Sequence, residues 1–253
     1  GNNDTLVLYT GILPLSYANV ANPDGTIEAD GNPATFKAII MAKNGVDRVF
    51  VSDGAAAYHG NIVYGDLFSE ATGDVGDEIL FSGVYSPYQN QTEIIDATLI
   101  ETLSTGNDLY NPVVISGSDI SLTNTPETNP GEQYEGLLVT IPNATVIMDF
   151  NGAYYTMSDD AEANYFYVGE NSRYDVFDGD IDVGLMTVGE AYNITGFVVG
   201  RGDNYFITPR SVDDITVDVK DAISNKVKIY PVPANNTLFV QNLNNALRIE
   251  LFN

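Results

Sequence analysis

The sequence predicts an all-β protein. Three observations carry that expectation. Short β-branched and aromatic runs with alternating character recur along the chain, separated by Gly, Asn, Asp and Pro. Helical periodicity is nearly absent. The pattern of strands and turns also repeats once within the chain.

The repeat fixes the order of elements. "VFVSDGA" (49–55) resembles "YYTMSDDA" (154–161), "VGDEILFSGVY" (75–85) resembles "VGEAYNITGFV" (188–198), and "QTEIIDATLIE" (91–101) resembles "NYFITPRSVDD" (204–214). Spacing agrees with the letters. Gly76 to Gly83 and Gly189 to Gly196 both span seven residues, and Gly83 to Ile94 and Gly196 to Ile207 both span eleven. Each unit reads strand, strand, aspartate turn, variable loop, strand, glycine kink, strand, hairpin, strand. A glycine within a strand marks a bend or bulge of the kind that closes a small barrel. Five strands with a bent central meander suit the OB-fold.

The expected organisation follows. Residues 1–34 form an N-terminal extension, either packed or left from an upstream domain. Residues 35–114 form a first OB-like barrel, 115–135 a polar linker, and 136–217 a second barrel. Residues 218–225 form another linker, and 226–253 the first strands of a β-sandwich.

Charge divides the chain at the same place. The 253 residues carry a net charge of −25, yet from Lys226 onward there are three basic residues and one acid. A charge of −25 opposes phosphate backbones and anionic lipid, so nucleic acid is not an expected partner. It either serves solubility alone or attracts divalent cations. The absence of cysteine excludes disulfides and thiolate metal sites. No apolar run approaches the roughly 20 residues of a membrane helix.

Candidate chemistry is sparse. His59 is the sole histidine, in "AAAYHGN", and no Gly-x-Ser-x-Gly elbow accompanies it. It reads as a structural loop residue. Carboxylates are plentiful, but no pair sits in a recognisable catalytic frame, so no catalytic residue is assigned. "DGDIDVG" (178–184) places Asp178, Asp180 and Asp182 at alternate positions, as a calcium loop does, although the following Gly184 and Glu190 fall one position late. Calcium on these three residues, with Asp159 and Asp160 as a second choice, is the one cofactor with a candidate place. The alternative is a solvated acidic loop. Arg201-Gly202-Asp203 reads as hairpin-turn chemistry. Sixteen tyrosines could stack on a ligand, but no basic stripe accompanies them, which leaves glycan or peptide binding, or a scaffold role, for the barrel faces.

Two resemblances add to this. "YEGLLVTIPNATV" (134–146) with "VGEAYNITGFVVGRGDNYFITPRSVDDI" (188–215) resembles the OB-like domains of secreted Bacteroidetes proteins. Such domains accompany extracellular nucleases or occur with no enzyme. "NKVKIYPVPANNTLFVQ" (225–241) resembles the start of a type IX secretion C-terminal sorting domain. The matching positions are Lys228, Tyr230, Pro231, Pro233, Ala234, Asn235, Leu238 and Val240, with Val232 replacing the usual Asn. "LRIELFN" (247–253) matches the next strand. The resemblance implies a secreted or cell-surface cargo whose partners are the type IX outer-membrane translocon and its shuttle protein. Its barrels would act outside as a non-catalytic binding or adhesion module. The alternative is an accessory region of a secreted nuclease-type hydrolase.

Overall fold

The computed structural model describes residues 11–19, 31–43, 47–65, 68, 72–88, 91–123, 130–150, 154–169, 186–202 and 204–217, and the backbone of 228–230 and 239–241. Two compact units divide the chain, residues 1–216 and 217–253. The fold is all-β, as the sequence implies.

The first sheet contains β1 (Ile12–Leu13), β2 (Pro33–Lys43), β3 (Arg48–Ser52), β4 (Gly60–Tyr64), β5 (Glu78–Tyr85) and β6 (Glu93–Ser104). Its order is β1-β2-β3-β4-β6-β5, and β2 also pairs with β5, which closes strands β2 to β6 into a barrel. The β4–β6 pair is parallel, while β2–β3, β3–β4, β2–β5 and β5–β6 are antiparallel.

The second sheet repeats this plan with β7 (Val113–Val114), β8 (Leu138–Asp149), β9 (Tyr155–Ser158), β10 (Phe166–Val168), β11 (Ala191–Arg201), β12 (Asn204–Thr208) and β13 (Ile215–Thr216). Strands β8 to β12 are joined in the same circular order, closed by β8–β11, again with one parallel pair, β10–β12. Both five-stranded circuits have the OB-like connectivity.

The register matches residue for residue. Gly83 of β5 pairs with Ala34 of β2, and Gly196 of β11 pairs with Val139 of β8. Ile94 of β6 pairs with Val63 of β4, and Ile207 of β12 pairs with Val168 of β10. Asp53 and Asp159 each follow the second strand of their circuit directly. Both long first strands carry a register shift, between Ile40 and Ala42 in β2 and between Val146 and Met148 in β8. Such a bulge bends the strand so that it can serve two neighbours around a barrel corner.

The glycine kinks have a steric cause. A Cβ on Gly196 would lie 2.5 Å from the carbonyl oxygen of Thr208, and one on Gly83 would lie 2.3 Å from Cγ2 of Ile94. Only glycine admits this closeness of the fourth and fifth strands.

Alternation fills each interior. Phe36, Ile40, Val49, Val51, Val63, Ile79, Phe81 and Ile94 form the first core, with Leu15 and Phe68 closing it. Ile141, Val146, Tyr155, Met157, Phe166, Val168, Ile194 and Ile207 form the second.

The described parts of the segments expected as extension and linker, 11–19 and 115–123, pack on the barrels. β1 lies parallel to β2, and β7 lies parallel to β8 in the same manner. A helical turn follows each, α1 (Ser16–Asn19) and a 3-10 turn (Gly117–Ile120). Ile115 and Ile120 are buried in the second core, so this part of 115–135 belongs to the barrel rather than to a free connection. Polar composition concealed this, because among the described residues of the segment few apolar side chains, Ile115, Ile120 and Tyr134, do the anchoring.

In the C-terminal unit, β14 (Lys228–Tyr230) and β15 (Phe239–Gln241) pair antiparallel, with Tyr230 opposite Phe239 and Ile229 opposite Val240. These are the two strands expected there; the residues between them lie outside the described residues. Pro231, Pro233, Ala234, Asn235 and Leu238 lie outside the described residues.

Candidate functional site

The outer surface of an OB-like barrel takes ligands on its second and third strands, between the loop joining strands 1 and 2 and the loop joining strands 4 and 5. In the first barrel a cleft of about 480 Å³ lies there, lined by Asp47, Arg48, Tyr64, Ser86, Pro87, Tyr88, Glu93 and Ile95.

Strand pairing assembles its floor. Arg48 opens β3 and lies opposite Tyr64 at the end of β4, with its guanidinium carbon 5.5 Å from the Tyr64 ring centroid. That distance is within reach of a cation–π contact. Glu93 opens β6, in parallel register with Ile62. The β5–β6 connection is cinched by reciprocal backbone hydrogen bonds between Tyr88 and Gln91, both 2.9 Å. Gln91 Nε2 then donates to Glu93 Oε1 at 2.7 Å.

Arg48 and Glu93 are only 3% and 4% exposed. Burial pushes the Glu93 carboxyl up to about 7, with Arg48 opposing the shift and Asp47 adding to it. The cleft thus combines a guanidinium, a carboxyl that titrates near neutrality and two tyrosine rings. That set can hold hydroxyl and amide groups by hydrogen bonding while the rings cover apolar faces.

A second cluster joins the barrels. Glu135 is buried, and its carboxylate accepts from Thr92 N and from Gly200 N, both at 2.7 Å. Burial, and after it the neighbouring Glu132, raises its pKa, and the two amides oppose that. Glu132 accepts from Thr92 Oγ1 at 2.9 Å and from the Tyr205 hydroxyl at 2.6 Å. Burial raises the Tyr205 pKa as well. Around this cluster Phe50 meets Phe197 at a centroid distance of 4.3 Å, within a seam that includes Met41, Ile62, Leu138 and Val199. These carboxylates fix one barrel on the other. In the sequence Glu135 falls only within the run "YEGLLVTIPNATV" (134–146), and nothing there singles out either carboxylate.

The remaining candidates fall as follows. His59 Nδ1 lies 2.7 Å from Asp53 Oδ1, and the other oxygen of Asp53 accepts from Leu15 N at 2.8 Å. The histidine therefore braces a turn, consistent with its structural reading. Asp159 accepts from Gly117 N at 3.0 Å and Ser116 Oγ at 3.2 Å. Asp160 accepts from Asn164 N and Nδ2, at 2.9 and 2.7 Å, which lowers its pKa. Both second-choice calcium ligands are thus engaged in turn hydrogen bonds. Asp178, Asp180 and Asp182 lie outside the described residues. Among the described residues no group of three or more His, Cys, Asp or Glu side chains could hold a metal ion, and no helix is long and apolar enough to cross a membrane.

No protein-family model matches the chain, and no curated protein matches it. Among solved structures, one described as "Structure of murine DNA binding protein bound with ds DNA" is similar at a TM-score of 0.36 and 10% identity, over 71% of this chain and 95% of that one. Another, described as "Structural mimicry for functional antagonism", is similar at a TM-score of 0.33 and 11% identity, over 69% of this chain and 87% of that one.

Proposed function

We propose that the protein is an exported cargo of a type IX secretion system whose tandem barrels act at the cell surface, or after release, as a non-catalytic binding module. The observation that carries the binding half is the Arg48–Glu93 cleft. It pairs two buried charged groups with Tyr64 and Tyr88 where OB-like barrels take their ligands. Export rests on the sequence motif from Lys228 to Val240, supported by the antiparallel pairing of its two flanking strands, β14 and β15.

Two measurements test the halves separately. The protein's C-terminal region from Lys226 onward, fused to a reporter carrying a general export signal, should leave a type IX-competent cell and stay periplasmic in a translocon mutant. Equal secretion from both strains refutes export. For the cleft, a thermal-shift screen of soluble polar ligands should find compounds that stabilise the wild type and not Tyr88→Ala. Ligands that stabilise both equally, or an empty screen, refute the cleft as the site.

A further inference from the structure

The shared register allows the same outer face to be compared on the two barrels. Aligning Ile94 with Ile207 and Asp53 with Asp159 places Arg48, Ile62 and Glu93 of the first barrel at the positions of Tyr154, Tyr167 and Phe206 of the second. In the first barrel part of this face is covered, because Phe50 and Ile62 are buried against Leu138, Phe197 and Val199 of the second barrel. In the second barrel the matching residues Tyr154, Tyr167 and Phe206 are not part of that seam, and they are aromatic.

Four rings gather there from the β8–β9 connection, β10 and β12. Phe150 follows β8, Tyr154 precedes β9, Tyr167 lies on β10 and Phe206 on β12. A backbone hydrogen bond from Phe150 N to Tyr154 O, 3.0 Å, ties the first two together. Their rings stack at 4.5 Å. Tyr154 meets Tyr167 edge-on at 4.9 Å and Phe206 edge-on at 5.9 Å, and Tyr167 stacks on Phe206 at 4.8 Å. Phe150 is 37% exposed and Met148 beside it 49%, Tyr154, Thr156 and Tyr167 are half-buried, and Phe206, 8% exposed, backs the other rings from beneath.

The chemistry of this patch selects a ligand class. Phe150, Tyr154, Thr156, Tyr167 and Phe206 are all uncharged, in a chain with 35 acidic residues. A cation would find no carboxylate among them. An anion would meet the field of a molecule of net charge −25. A peptide recognised by strand addition needs a free sheet edge, and here β9, β10 and β12 are each paired on both sides. What remains is a neutral ligand with apolar faces for the rings and hydroxyls for the phenols and the threonine. A pyranose has both. We propose that the outer face of the second barrel, centred on Phe150, Tyr154, Tyr167 and Phe206, is a binding site for neutral polysaccharide, separate from the cleft of the first barrel.

The test is affinity electrophoresis of the full chain through gels containing, in turn, a neutral β-glucan, a xylan, a galactomannan and an α-glucan, with polygalacturonate as the anionic arm. At least one neutral polymer should retard the wild type. Phe150→Ala/Tyr154→Ala should weaken that retardation at least tenfold in apparent Kd, and Tyr88→Ala in the first-barrel cleft should leave it unchanged. Phe150→Ser, at a side chain already open to solvent, serves as a milder variant, and melting temperatures certify that each variant is folded. Retardation by none of the four neutral polymers overturns the proposal, as does retardation that the folded Phe150 and Tyr154 variants retain. Retardation by polygalacturonate alone, or a single-stranded oligonucleotide whose binding needs the same two rings, also overturns it. Loss through Tyr88→Ala but not through the ring variants would assign the sugar to the first-barrel cleft and refute the second site.

Discussion

Gly60 and Gly136 meet backbone against backbone at the seam between the two barrels. A Cβ built on Gly60 would lie 2.5 Å from the carbonyl carbon of Gly136, and one on Gly136 would lie 2.6 Å from Asn61 N. Neither neighbour is the end of a flexible side chain, so a methyl group at either position must push main chain apart. Glu135, next to Gly136, then delivers its carboxylate to Thr92 and Gly200. The glycine contact sets the closeness, and the carboxylate fastens it.

Gly60→Ala is therefore expected to destabilise the protein by about 1–3 kcal/mol through overpacking alone. Gly106→Ala is the control. Gly106 has φ +66° and open space around it, so it should lose only the left-handed backbone cost of about 1 kcal/mol. Urea unfolding measures both. A Gly60→Ala chain as stable as wild type would show that the seam yields freely and that the glycine contact does not set its closeness.

Asp53 and Asp159 give a second, paired expectation. Each accepts a backbone N–H from the helical turn that precedes its barrel, Leu15 in one case and Gly117 in the other. Replacement by Ala should cost about 1–2 kcal/mol at each position, as lost caps do. The exposed Asp213→Ala should stay within about 0.5 kcal/mol of wild type. If only one of the two caps matters, the repeat is one of topology and not of energetics.

These pairs also explain what the sequence could disclose. Asp53 and Asp159, Gly83 and Gly196, and Ile94 and Ile207 were legible because each pair performs the same local job at the same spacing, so the letters persisted. Glu135 was not legible. Its partners Thr92 and Gly200 are 43 and 65 residues away, and both offer main-chain amides, which leave no trace in composition. The four rings of the second barrel face were hidden for a related reason. Phe150, Tyr154, Tyr167 and Phe206 are spread over the β8–β9 connection and two separate strands, among sixteen tyrosines and eleven phenylalanines, and only barrel closure brings them together. Residues 115–135 misled because their polar residues outnumber the few apolar ones, Ile115, Ile120 and Tyr134, that pack on the core.

Glu93 makes stability depend on pH in a defined direction. Its carboxyl is raised from 4.5 to about 7, so the folded state holds a proton that the unfolded chain releases earlier. Between those values the folded state binds more protons, and this group's contribution to stability declines as pH rises through the window. Glu93→Gln removes the titration. The stability difference, variant minus wild type, should climb between pH 4.5 and 7 by an amount on the order of 1 kcal/mol. Urea titrations at several pH values read this difference directly, with the rest of the acidic surface common to both proteins. A difference independent of pH would place the Glu93 titration elsewhere.

Nucleic acid is the last partner to weigh, because OB-like barrels in general serve it well. Binding of that kind needs cationic side chains along the groove, since affinity comes largely from counterions released from the phosphates. This chain has ten basic residues against 35 acidic ones. Lys37 and Arg210 are already paired with Glu78 and Asp214, at 2.8 and 2.7 Å. Arg48 lies buried at the floor of the first-barrel cleft. The aromatic face of the second barrel could stack on bases, but none of its five central residues is basic. A fluorescence titration with single-stranded oligonucleotides at about 100 mM salt should show no saturable binding, in contrast with the steep salt-dependent affinity of basic OB grooves. Micromolar affinity that falls as salt is raised would mean that scattered basic residues suffice, and it would overturn both this expectation and the argument from net charge that assigns a neutral ligand to the second barrel.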